Sequence, residues 1–320
     1  MRHSITTCML IALFSAGAGA QDYPSKPVRI IVPLPAGSTG EAMARLVADN
    51  LAQKTGQSFI VETRPGASGQ IGAAAVAKAP PDGYTLMVAS VGPVTINPAV
   101  YGAKLGFDPL KDFTPITQIA NTTSVIIMHP SVPVKTLAQL ITFAKARPGQ
   151  LMYASAGNTS TTNLYMALLS TMTGIKMLHV PYKGSTQGMI SVASGETQLM
   201  ITGWINALPM TKQGKVRPLA VVSARRSPVA PQLQAIGEVV PGYDADQWYG
   251  VLAPAGTPKN IIGLLHTTIV NGLQTPEARA YLTQSGAEPV GNTPEQFGAR
   301  IRAEIAKWTK IVNATGAKPQ

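Results

Sequence analysis

Two stretches rich in glycine and hydroxyl groups carry the residue types best suited to holding an anion. The first, Pro33-Leu34-Pro35-Ala36-Gly37-Ser38-Thr39-Gly40-Glu41, follows an apolar run and opens an amphipathic one. A loop in that position exposes backbone N–H groups that the first helical turn cannot satisfy internally, and the helix dipole favours negative charge there. Glycine lets the chain approach a ligand closely. Read by itself, the stretch is equally a strand-to-helix turn whose glycines serve only backbone conformation. It lacks the Gly-Lys-Ser/Thr of a phosphate loop and the Gly-x-Gly-x-x-Gly of a dinucleotide site. The second stretch, Ser155-Ala156-Gly157-Asn158-Thr159-Ser160-Thr161-Thr162-Asn163, has the same placement and adds five hydroxyls and two amides. Two such helix N-termini facing one another would clamp a dicarboxylate without an arginine. The plainer alternative is N-capping by one serine or threonine, with the rest exposed.

Catalytic and metal-binding patterns do not emerge, and neither a cofactor nor a metal is expected. The four histidines are His3, His129, His179 and His266, and none has metal-ligand spacing with another histidine or with the single cysteine, Cys8. Ser38 and Ser160 lie outside any Gly-x-Ser-x-Gly element. A triad assembled only in space stays open, because triads are recognised by geometry. His179 reads as a packed or strand-edge histidine rather than a base. Trp204, Trp248 and Tyr249 are core residues or pocket walls, and the Trp248-Tyr249 pair, beside a Gly/Pro-rich return loop, is placed at a cleft.

Strand–helix repeats supply the elements that must position these loops. Apolar runs at Val28–Val32, Phe59–Glu62 and Thr85–Ser90 alternate with helical patterns at Glu41–Lys54 and Gly72–Ala79. The pattern restarts after Pro115, with strands at Val125–Met128, Leu151–Ser155, Gln198–Thr202 and Leu219–Ser223. Helical stretches follow at Leu137–Ala146, Thr161–Met172 and Gly184–Ala193, and three more close the chain at Ile261–Leu273, Pro276–Gln284 and Pro294–Ala314. Such alternation predicts an α/β protein of two lobes, each a mostly parallel sheet flanked by helices.

Residues 1–20 have the order of a secretory signal: Arg2, an apolar stretch from Met9 to Ser15, then Ala18-Gly19-Ala20 before Gln21. Its apolar core is shorter than the roughly 20 residues of a membrane-spanning helix. Cleavage would remove Cys8 and leave a chain with neither disulfide nor thiol chemistry. The formal net charge is +11. The basic residues are scattered, and aromatics make up only 6% of the chain, which argues against a nucleic-acid site and leaves an attractive field for anionic solutes.

The chain from Tyr23 almost to its end resembles the tripartite tricarboxylate transporter substrate-binding family, also called the Bug receptors. The blocks that carry the resemblance occur in order. They are Tyr23-Pro24-Ser25-Lys26-Pro27, the first glycine loop through Ala44-Arg45, Glu62-Thr63-Arg64-Pro65-Gly66-Ala67-Ser68-Gly69, and Pro81-Asp82-Gly83-Tyr84-Thr85-Leu86. Asn97-Pro98, Val180-Pro181-Tyr182-Lys183-Gly184-Ser185 and Trp248-Tyr249-Gly250, leading to Ala253-Pro254-Ala255-Gly256-Thr257-Pro258, complete the set.

The resemblance implies a periplasmic, monomeric venus-flytrap receptor. One domain would span 24–124 and 249–320 and the other 125–248. The two loops would hold an organic carboxylate for an ion-driven permease with one large and one small integral subunit. The chain departs from the family pattern at four positions in three loops. Ser38 and Glu41 stand where a glycine and an aspartate are usual, Asn163 where a histidine is common, and Val94 where a histidine often lies. Val94 is therefore expected to make one wall less polar and to suit an apolar or aromatic ligand body. An ionised Glu41 would repel a carboxylate, so it is expected to sit back from the anion or to accept a donor. The alternative from another class is a secreted hydrolase acting on a small carboxylate ester.

Overall fold

A computed structural model describes residues 23–318, so the proposed leader lies outside the described residues. Lobe 1 begins with β1 (Val28–Val32), α1 (Thr39–Thr55), β2 (Phe59–Thr63), α2 (Gln70–Ala77) and β3 (Thr85–Ser90). A π-turn at Gly92–Ile96 leads into α3 (Asn97–Tyr101), and β4 (Phe113–Thr122) ends at the first crossing. Lobe 2 contains β5 (Ser124–Met128), α4 (Leu137–Ala146), β6 (Met152–Ser155), α5 (Thr161–Thr173), β7 (Leu178–Pro181) and α6 (Ser185–Ser194). It continues through β8 (Leu199–Gly203), α7 (Trp204–Lys212), β9 (Arg217–Val221), β10 (Gln234–Ala235) and α8 (Ile236–Val239). The chain then returns to lobe 1 as β11 (Gln247–Pro254), α9 (Lys259–Leu273), α10 (Pro276–Gln284), β12 (Ala287–Pro289) and α11 (Pro294–Thr315).

Each lobe is built on a six-stranded sheet, ordered β12-β4-β11-β3-β1-β2 in lobe 1 and β10-β9-β5-β8-β6-β7 in lobe 2. Four strands of the first sheet and five of the second share a direction, so both are mostly parallel. The strands that run against the rest include β5 and β11, each of which arrives from the other lobe and slots between parallel neighbours.

Side chains alternate across the sheets with period two. In β1, Val28, Ile30 and Val32 pack under α1 and α9, while Ile31 faces the opposite core. That opposite core is continuous between the lobes, running from Met87 and Phe297 through Trp308 to Tyr165 and Leu164. Helix α11 provides the bridge: Trp308 stacks on Tyr165 of α5 with ring centroids 5.4 Å apart. No helix among the described residues is long and apolar enough to cross a membrane.

Candidate ligand-binding site

The C-terminal ends of β1 and β6 both open onto the space between the lobes, where open α/β sheets present their ligand sites. At the first, Ser38 caps α1 with extended backbone, and its Oγ accepts the Glu41 N–H at 3.4 Å. Glu41 folds back over the turn: Oε2 accepts the Gly37 N–H at 2.7 Å, and Oε1 accepts from Arg45 Nε at 3.0 Å. The Gly37 N–H and the Arg45 guanidinium hold the Glu41 carboxyl below the usual carboxylate range. Glu41 is thus committed to the loop's own structure.

The second loop is braced more heavily. Ser160 caps α5; its Oγ accepts the Asn163 N–H at 3.3 Å and donates to the Gly157 carbonyl at 2.7 Å. Thr162 Oγ1 accepts the Ala156 N–H at 2.9 Å. Asn163 accepts from Tyr153 OH at 2.7 Å and donates to the Asn158 carbonyl at 2.6 Å. Gly157 sits at φ 124°, a conformation open to glycine and strained for other residues.

Between these loops lies a cleft of about 940 Å³, within the range of small-molecule sites. Gly37, Ser38 and Thr39 reach it from lobe 1, and Gly157, Asn158, Thr159, Ser160, Thr161 and Thr162 from lobe 2. Leu34, Pro93, Tyr101 and Tyr249 add apolar surface, and among the described residues no Lys, Arg, His, Asp or Glu lines it. Charge on a ligand must therefore be met by N–H groups, hydroxyls and helix dipoles.

Several residues read from the sequence as contacts lie elsewhere. Ala36 is exposed beside the cleft, and Gly40 is buried, where a Cβ would meet Leu34 at 2.5 Å and Tyr249 at 3.3 Å. Glu41 is turned away to cap the loop. Val94 is wholly buried in the core, because the chain after β3 winds into the π-turn and points it inward, so it does not form a cleft wall. Ser155 and Asn163 are buried behind the second loop and support it from below. Trp248 is also corrected: it is fully buried and donates to Glu304 Oε2 at 2.9 Å. Successive residues of a strand face opposite sides, so only Tyr249 of that pair reaches the cleft.

Other lining residues escaped sequence reasoning: Thr122, Thr123 and Ser124 at the first crossing, Tyr165 on α5, Thr202, Gly203, Ile205 and Asn206 around the start of α7, and Gln247; Trp204 itself is buried in the lobe 2 core. Asn97 also lines the cleft; its Nδ2 donates to the Ser68 carbonyl at 2.9 Å and ties two lobe 1 segments together. The hydroxyls of Thr122 to Ser124 were the available signal, but they fall where two strands meet without a helical pattern.

Residues 43–317 match the family described as the tripartite tricarboxylate transporter family receptor. The chain belongs to this family. BugT of Bordetella pertussis is 33% identical over 317 residues, covering 97% of each chain. Rpa4515 of R. palustris, solved with adipate, is 39% identical with a TM-score of 0.78, over 93% of this chain and all of its own. MatC from Rhodopseudomonas palustris, solved with bound malate, is 28% identical with a TM-score of 0.73, over 91% of this chain and all of its own. The chain is therefore a member of a solute-receptor family and not of an enzyme family. In this receptor the loops at Gly37–Thr39 and Gly157–Thr162 face each other across the interlobe cleft.

Proposed function

We propose that the receptor captures a small organic mono- or dicarboxylate with an apolar or aromatic body, one carboxylate near Gly37–Thr39 and the far end near Gly157–Thr162. The observation that carries this reading is a cleft free of ionised side chains, flanked by two capped helix N-termini. Each terminus contributes about 0.3–1 kcal/mol to binding an exposed anion and up to about 2 kcal/mol when partly buried. The adipate and malate found with the two Rhodopseudomonas relatives support the same ligand class. The apolar-body reading now rests on Leu34, Pro93, Tyr101 and Tyr249.

Two lobes joined by crossings at Thr123 and before β11 suit closure around one ligand, with domains at 24–124 plus 249–320 and 125–248. The leader and the family together support a monomeric periplasmic protein that hands its ligand to a permease of one large and one small membrane subunit. A hydrolase would need a serine–histidine pair in the cleft. Ser155 bonds His179 at 2.6 Å and Ser131 bonds His129 at 2.7 Å, but neither serine lines it.

A thermal-shift screen of the protein lacking residues 1–20 against aliphatic, hydroxy-, amino- and aromatic carboxylates tests the reading. A ligand at 100 times its Kd adds about 2.7 kcal/mol to apparent stability. Stabilisation by carboxylates supports it, and stabilisation only by amines or amino acids overturns it. Compact hydroxy-acids outranking every aromatic and aliphatic acid would remove the apolar-body element.

A further inference from the structure

His179 lies outside the cleft yet is hydrogen-bonded to the residue that braces the second loop. Its Nε2 lies 2.6 Å from Ser155 Oγ, and that oxygen in turn accepts the Gly157 N–H at 3.1 Å. The Ser155 hydroxyl also lies 3.1 Å from the Gly157 carbonyl. The imidazole stacks on Tyr153 with centroids 4.9 Å apart, and Tyr153 OH fixes Asn163, which grips the Asn158 carbonyl. One stacked pair thereby supports two consecutive residues of the loop that lines the cleft.

We propose that His179, acting through Ser155, positions the second ligand loop and makes carboxylate capture proton-linked; this rests on the carboxylate reading above. Neutral imidazole can either accept from the Ser155 hydroxyl or donate to it. The imidazolium can only donate, so Ser155 Oγ must accept from His179 and direct its own proton to the Gly157 carbonyl. The same step places a positive charge behind the loop's N–H groups, favouring an anion in front of them. A separate cavity of about 500 Å³ on the far side of the loop gives His179 access to solvent independently of the cleft. The titratable groups that share that cavity are Tyr153, Lys176 and Lys318, and among the described residues no carboxylate lines it. Burial holds the His179 pKa below its ordinary value. A bound carboxylate raises it, so binding takes up a proton, and affinity tightens as pH falls below the ordinary histidine value.

The test measures adipate binding by calorimetry from pH 5.5 to 8 for the wild type, H179Q and H179A, with malate as a second probe. Comparison with H179Q cancels the titration of the acid itself. The expected wild-type gain on acidification, relative to H179Q, is about threefold. H179Q keeps the bond to Ser155 and should match the wild type at pH 8, whereas H179A should bind about three- to tenfold more weakly, the worth of one hydrogen bond. Equal affinity of H179A and wild type at pH 8 overturns the positioning role, and a wild-type pH profile in H179Q overturns the proton linkage. In ligand-free protein the amide resonances of Gly157 and Asn158 should titrate with His179 and stop doing so in H179Q. That measurement still judges the coupling if H179A fails to fold. If neither acid binds, the carboxylate reading is judged by the thermal-shift screen, and flat amide resonances in the wild type still overturn the coupling.

Discussion

Glu41 Oε2 accepts the Gly37 N–H at 2.7 Å, so this carboxylate is consumed in holding the first of the two proposed ligand loops. It is the reach-back half of a helix cap, displaced by one residue toward the turn, with Arg45 neutralising the charge on its outer side. E41Q retains an acceptor for Gly37 and should leave carboxylate affinity within about threefold. E41A frees the Gly37 N–H and should lower the melting temperature, as losing a cap does. Neither variant should begin to bind amines. Thermal melts and calorimetry with a carboxylate and its amino analogue check all three outcomes.

Gly40 and Gly37 separate close packing from backbone freedom. A Cβ at Gly40 would press on Leu34 and Tyr249, both of which line the cleft, whereas Gly37 has open space but φ +75°. G40A should cost about 1–3 kcal/mol of stability and lower ligand affinity through the displaced wall. G37A should cost about 1 kcal/mol by backbone strain, with smaller loss of affinity. Equal losses of affinity in the two variants would contradict this account.

Trp248 and Tyr249 should divide by phenotype. W248F removes the indole N–H from Glu304, a carboxylate that is only 4% exposed and also takes Arg300 Nε at 3.0 Å. Losing a partner of a buried charged group is expected to cost about 1–3 kcal/mol. Ligand affinity at a temperature where the variant is folded should be unchanged, because Trp248 does not reach the cleft. Tyr249 stands in the cleft wall, and Y249A should weaken binding. Denaturant melts paired with calorimetry distinguish the two.

Asp246, just before β11, should give stability a pH dependence of its own. Burial, then the neighbouring Asp244, pushes its pKa up from 3.8 to about 6. Because the folded-state value is raised, its contribution is fully present below about pH 4 and is lost as pH rises through about 6. The full difference corresponds to at most about 3 kcal/mol. D246N should flatten the stability profile between those limits and be more stable than wild type at pH 7. Melting temperatures from pH 4 to 8 read the effect, and a D246N profile parallel to wild type would count against it.

The strand–helix alternation was legible in sequence because period two and period 3.6 are local properties. Val28–Val32, Thr85–Ser90, Leu137–Ala146 and Pro276–Gln284 have the predicted limits. The two capped loops proposed to hold the ligand were legible for a related reason: capping chemistry is written within four residues, as in Ser38 to Glu41 and Ser160 to Asn163. Local pattern did not reveal β4, α7 or β11, since β4 and β11 take their places from partners distant in sequence and α7 packs against β5, β8 and β9.

Which side chains face the cleft was decided only by the tertiary structure. Val94 turns inward because a π-turn rotates it, and Trp248 turns from the cleft because Tyr249 occupies the opposite face of β11. Glu41 is spent because Gly37 lies within its reach, and His179 comes to the back of the second loop because β7 pairs with β6. Composition and spacing determine that a loop can bind an anion. The direction of each side chain follows from sheet register and lobe packing, which join residues far apart along the chain.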